Sequence, residues 1–94
     1  MIQEKETIIR LITALFPDVK IYLFGSYARG EERETSDIDL AFDIGRKLTT
    51  KELSRVINII EALNIPDKVD VVDMHSIPED FKNVILKEGV VWKD

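Results

Sequence analysis

The stretch that most constrains the fold covers residues 23–40, where two short apolar segments flank a polar loop. The first segment stops at the pair Gly25-Ser26, and the second begins with Asp37 and Asp39 at alternate positions. In a β-strand, residues i and i+2 project from the same side, about 6.6 Å apart along the strand. The pattern therefore predicts two neighbouring strands, with a carboxylate pair on one of them close to the turn that ends the other.

The spacing of apolar residues predicts the order helix, strand, strand, helix, strand, helix, strand, with a short helix after Gly25. Thr49 and Glu52 have the spacing of a capping box at the start of the second long helix, which closes at Asn64. The expected helices cover residues 4–16, 49–63 and 78–88, and the expected strands residues 19–24, 37–42, 68–74 and 90–92. We therefore expect one α+β domain over residues 1–94, with helices packed on a small mixed sheet of about four strands.

Composition narrows the classes of function. The chain has no cysteine, which excludes a disulfide framework, a zinc-thiolate site and a thiol nucleophile. Its formal net charge of −5 argues against direct nucleic-acid binding. The same charge is compatible with an enzyme that binds one nucleotide through magnesium. No apolar run is long enough for a membrane span, and the N-terminus is polar, so a cytoplasmic protein is expected.

The Gly25-Ser26 turn is a candidate phosphate site. Glycine lets the backbone approach a ligand, and the first amides of the following helix lack internal partners. The Ser26 hydroxyl would add a ligand for a terminal phosphate, and Arg29 lies within a turn of it. The alternatives are an ordinary turn with Ser26 as a helix cap, and an exposed surface arginine.

Three acids form the candidate catalytic and metal site: Asp37, Asp39 and Asp70. Asp70 interrupts an apolar run and would join the other two if the third strand lies beside the second, about 4.8 Å away. Asp73, three positions further, would then face the opposite side. Carboxylates some 5 Å apart repel by roughly 3 kcal/mol at an effective dielectric near 20, a cost that Mg²⁺ removes. Two such ions could support phosphoryl transfer, with Asp70 also placed to accept a proton. The alternative is that these acids are exposed strand positions.

The combined pattern resembles that of the minimal nucleotidyltransferases (MNT) of the polymerase-β-type superfamily. It comprises the segments Phe24-Gly25-Ser26-Tyr27-Ala28-Arg29-Gly30, Ser36-Asp37-Ile38-Asp39-Leu40 and Val69-Asp70-Val71-Val72-Asp73. The resemblance implies a nucleotidyltransferase fold that uses ATP and magnesium. Many such proteins are antitoxins paired with a HEPN-domain toxin, a helical ribonuclease, and the resemblance implies transfer of AMP onto a tyrosine of that toxin.

Two other functions stay open. One is an antitoxin that masks the toxin by binding alone. The other is a nucleotidyltransferase that acts on a small molecule or on an RNA end. Larger transferases of the superfamily present the acceptor on a second helical domain, for which 94 residues leave no room, so the acceptor is expected on another protein. The remaining candidates have ordinary interpretations, since Tyr27 is expected to pack and His75 to be solvated.

Overall fold

The structure is a computed structural model, and it describes residues 2–33 and 37–94. Ser36 of the motif lies outside these residues. The element order agrees with the prediction, and each predicted boundary of a strand or a long helix is within about one residue of the observed one. The helices are α1 (Lys5–Leu15), α2 (Gly25–Ala28), α3 (Thr50–Ala62) and α4 (Glu79–Glu88), and the strands are β1 (Lys20–Phe24), β2 (Ile38–Asp43), β3 (Val69–Asp73) and β4 (Val90–Lys93).

The four strands form one mixed sheet in the order β3-β2-β1-β4, which confirms the predicted α+β architecture. β1 is antiparallel to both of its neighbours, β2 and β4, whereas β2 and β3 are parallel. Parallel neighbours need a crossover connection, and α3 supplies it. The terminal strand β4 lies at an edge of the sheet.

The two faces of the sheet carry different partners. On one face, α1 and α3 bury the main core, to which β2 contributes Ile38, Leu40 and Phe42. On the other face, α4 packs through Ile85 against a smaller cluster that includes Ala41. Because strand side chains alternate, the acids of β2 lie on the α4 face of the sheet. Among the described residues, no helix is long and apolar enough to cross a membrane.

The start of α3 is fixed by the predicted capping box. The Thr49 side chain accepts a hydrogen bond from the Glu52 amide at 3.1 Å, and the Glu52 carboxylate accepts one from the Thr49 amide at 2.9 Å. Arg46 donates two further hydrogen bonds to the same carboxylate, both of 2.7 Å. The entry of the crossover helix is thus held at a defined position above the sheet.

Asp73 fastens the same end of the crossover, where the chain leaves β2 and enters α3. Its buried carboxylate accepts hydrogen bonds from the amide of Leu48 (2.7 Å), the amide of His75 (2.9 Å) and the hydroxyl of Ser76 (3.0 Å). Val69 and Val71 of the same strand pack against the main core, so alternation places Asp73 on that face and Asp70 on the other. The expectation that these two acids face opposite sides is confirmed, and Asp73 serves the fold.

Candidate active site

Strand pairing brings two of the predicted acids together. In the parallel ladder between β2 and β3, Asp39 is paired with Asp70, and the neighbouring pair Leu40 and Val71 packs into the core. Partners in register project from the same side of a sheet, so both carboxylates lie on the α4 face. The sequence left open whether the third strand neighbours the second, and the structure shows that it does.

The Gly25 turn lies directly against this pair. Phe24 at the end of β1 is in register with Asp39, which places the next residue beside the Asp39 carboxylate. Gly25 has φ +76°, and a Cβ added there would overlap Asp39 Oδ2 and lie 3.1 Å from its Cγ. Two features therefore favour glycine at this position: the positive backbone angle, and the close approach of the backbone to the Asp39 carboxylate.

The alternative in which Ser26 caps the short helix is wrong. The N-cap of α2 is Phe24, whose backbone is extended, and it makes no side-chain cap hydrogen bond. Ser26 is instead the second residue of α2. A helix of four residues has little macrodipole, so an anion here would be held by individual N–H groups and by the Ser26 hydroxyl.

Charges of both signs act on Asp39. Burial raises its pKa most, and the neighbouring charges of Asp70 and then Asp37 raise it further. Arg29 and Lys68 act in the opposite direction. Asp39 is therefore the centre of a mixed cluster, with two acids and two cations close enough to influence its ionisation.

Arg29 has a partner of its own in this structure. Its Nε lies 2.7 Å from Oε1 of Glu31, and the arginine side chain is 45% exposed. The Arg29 charge still reaches Asp39, which places the guanidinium at the edge of the acid cluster. The predicted phosphate contact would require Arg29 to exchange Glu31 for the nucleotide.

The carboxylates present suit magnesium, but only in a site where the nucleotide and water supply the remaining ligands. Within residues 2–33 and 37–94, no group of three or more His, Cys, Asp or Glu side chains is close enough together to hold a metal ion. A metal pocket built from Asp37, Asp39 and Asp70 together is thus not preformed. Mg²⁺ characteristically takes one or two carboxylates and completes its shell with phosphate oxygens and water. The in-register pair Asp39 and Asp70 fits an ion of that kind, and the part of Asp37 stays a prediction.

Two side chains differ from the sequence expectations or were missed by them. His75, expected to be solvated, has its Nε2 2.7 Å from Oδ1 of Asp43 and a side chain only 30% exposed. Lys68, which the sequence analysis did not single out, lies 3.6 Å from Asp70. Tyr27 packs against the main core as expected, with its hydroxyl 3.4 Å from Asp67.

Comparison with known proteins identifies the family. Residues 6–93 match the family model described as polymerase beta, nucleotidyltransferase. A Haemophilus influenzae relative that carries the name protein adenylyltransferase MntA is 30% identical over 84 residues, which is 89% of this chain and 74% of that protein.

Solved structures show the same likeness. A toxin-antitoxin crystal structure with AMP-PNP superposes with a TM-score of 0.77 at 29% identity, over 94% of this chain and 71% of the other. An MNT antitoxin in complex with the tri-AMPylated HEPN toxin of Shewanella oneidensis gives a TM-score of 0.72 at 27% identity, over 98% and 71%. From its fold, from the acids paired beside the glycine turn and from these matches, the chain belongs to the polymerase beta nucleotidyltransferase family.

Proposed function

We propose that this protein is a magnesium-dependent protein adenylyltransferase that transfers AMP from ATP to a tyrosine of a partner HEPN toxin and so acts as its antitoxin. The observation that carries the proposal is the in-register pair of Asp39 and Asp70 beside the Gly25 turn. Family membership supports nucleotidyl transfer in general. The similar complexes with AMP-PNP and with an AMPylated HEPN toxin support the choice of nucleotide and of partner.

The turn side of the site would hold the triphosphate. Gly25 has no side chain, so phosphate oxygens can approach the backbone N–H groups there. The Ser26 hydroxyl adds a neutral donor. Arg29, already exposed at the edge of the cluster, would donate to a phosphate after leaving Glu31, because a guanidinium binds either anion in the same way.

The strand side would carry the chemistry. Asp39 and Asp70, joined by Asp37, would hold magnesium, which when bound neutralises the triphosphate and makes the α-phosphorus more susceptible to attack. Asp70 is 42% exposed, so an acceptor hydroxyl can reach its carboxylate. It would accept the proton of the tyrosine hydroxyl while that oxygen bonds to the α-phosphorus and pyrophosphate leaves. Asp39, on the central strand β2 and against the Gly25 turn, suits the role of a fixed ligand.

Labelled ATP tests the proposal directly. Purified protein, its toxin and Mg²⁺ should transfer label to the toxin, and Asp37→Asn or Asp39→Asn should reduce transfer by about 10²-fold or more, as loss of a metal-binding or charge-stabilising group commonly does. Equal labelling by the wild type and both variants would refute catalysis at this site. Tyrosine as acceptor is checked by mapping the modified residue.

The masking alternative is separated in cells. If binding alone neutralises the toxin, the double variant with Asp37→Asn and Asp39→Asn should still protect cells that express it. Loss of protection, with the complex still formed, supports catalysis. The alternative acceptors are separated by offering the other three nucleotides, small molecules and RNA, and the net charge of −5 makes RNA the weakest of these.

A further inference from the structure

Lys68 lies beside the acid pair in a position that the mechanism does not use. It comes directly before β3 and two residues before Asp70. Its Nζ lies 3.6 Å from Oδ1 of Asp70, and its side chain is 71% exposed. The lysine charge also acts on Asp39, in opposition to Asp70 and Asp37. The ammonium group is therefore close to both members of the pair.

The backbone and the side chain of Lys68 are held by contacts of different strength. Its carbonyl accepts a hydrogen bond of 2.8 Å from the amide of Ile38, which fixes the main chain to the start of β2. The ammonium, in contrast, has one long and exposed ion pair as its contact among the described residues, an interaction worth little in water. A lysine has a flexible four-carbon stem, so the charge can move away while the strand stays in place.

Resting on the function proposed above, we propose that Lys68 competes with magnesium for Asp70 and Asp39. In the metal-free protein the ammonium partly neutralises the two carboxylates, which would otherwise repel each other. A divalent ion that binds the same oxygens must displace it, since two cations cannot share that space without repulsion. Arg29 is not equivalent, because its guanidinium is already paired with Glu31 at 2.7 Å.

The competition predicts a tighter metal site when the charge is removed. Lys68→Met keeps most of the stem and removes the ammonium, so the Mg²⁺ concentration at half-maximal rise in melting temperature should fall by about three- to tenfold. Lys68→Arg, which keeps the charge, should stay near the wild-type value. Lys51→Met is the matched control, because it makes the same change in net charge at an exposed position on α3.

The experiment follows melting temperature during Mg²⁺ titration, with and without a non-hydrolysable ATP analogue, and needs no turnover. A midpoint for Lys68→Met that is unchanged, higher, or lowered no more than that of Lys51→Met overturns the competition. If the wild type binds Mg²⁺ while the variants behave alike, only this inference fails. If no variant and not even the wild type responds to Mg²⁺ with the analogue present, the proposed magnesium site fails, and the inference fails with it.

Discussion

Replacing Gly25 by alanine is the most discriminating single change at the site. The new methyl group would meet two obstacles, the backbone angle of φ +76° and the carboxylate of Asp39. Gly30 provides a matched control, because it has φ +70° and nothing within 4 Å of an added Cβ. Gly45, with φ +85° and equally open surroundings, provides a second control at the far end of β2. All three variants carry the backbone penalty, and only one also carries the clash.

The two costs differ in kind. Alanine in the left-handed region costs about 1–2 kcal/mol, which lowers the melting temperature of a domain of this size by roughly 4–16 °C. The atom met at position 25 is the end of the Asp39 side chain, which can rotate away for about 0.5–1.5 kcal/mol more. Such a rotation moves a candidate metal ligand by an ångström or more, and misplacement on that scale can cost about 10²-fold in rate.

For Gly25→Ala, the loss of AMP transfer should therefore be much larger than the loss of stability in urea accounts for. For the two control variants, a loss of stability should come without a comparable loss of transfer. We expect all three variants to lose similar stability, within about 1.5 kcal/mol. Transfer should fall at least about 10²-fold for Gly25→Ala, while Gly30→Ala and Gly45→Ala stay within a few-fold of wild type at a temperature where all are folded. Transfer by Gly25→Ala at the level of Gly30→Ala would refute the argument that the turn must lie against the carboxylate.

Three further predictions concern the scaffold. In Asp73→Asn, the new amide N–H₂ would face a backbone N–H donor of Leu48 or His75, so the free energy of unfolding in urea should fall by about 1–3 kcal/mol. Asp18→Asn on the surface should change it hardly at all. Thr49→Ala should cost about 1 kcal/mol through loss of the cap, and the neighbouring change Thr50→Ala much less, as unfolding midpoints will reveal. Hydrogen bonds from Arg46 and Thr49 lower the pKa of Glu52 from 4.5 to about 2, so the stability they provide is present above about pH 4.5 and is lost as the pH falls towards 2. Glu52→Gln should flatten that part of the melting-temperature profile, and a drop as steep as that of the wild type would contradict this assignment.

The elements and the acid pair were predictable from sequence because their signals are local. Apolar periodicity and the capping box at Thr49 depend on residues within one helix, and the structure has them where predicted. The pairing of Asp39 with Asp70 could be anticipated because a charge inside an apolar run needs either solvent or a partner. The ladder itself, and hence the common face, required the structure.

What could not be predicted depends on contacts between distant segments. His75 contacts Asp43, which lies 32 residues away in the sequence, and Asp73 accepts a hydrogen bond from the amide of Leu48, 25 residues away. No spacing pattern in the sequence indicates either pair. The cap of α2 falls on Phe24 because the chain changes conformation where β1 leaves its pairing with β2, whatever polar residue follows. Lys68 escaped notice because a lysine at the start of a strand is ordinary until its acidic neighbours are located.

The strand order also ranks the three candidate catalytic acids by how firmly they are anchored. Asp39 lies on β2, which is hydrogen-bonded on both sides, whereas Asp70 lies on β3 at the border of the sheet, and Asp37 precedes β2 altogether. Borders of sheets open more readily than interiors, so amide hydrogen exchange should be slowest near Asp39 and faster near Asp70. Fraying of that border would separate the candidate catalytic pair while most of the domain remains folded, so the proposed transfer should fail on warming well before the protein melts.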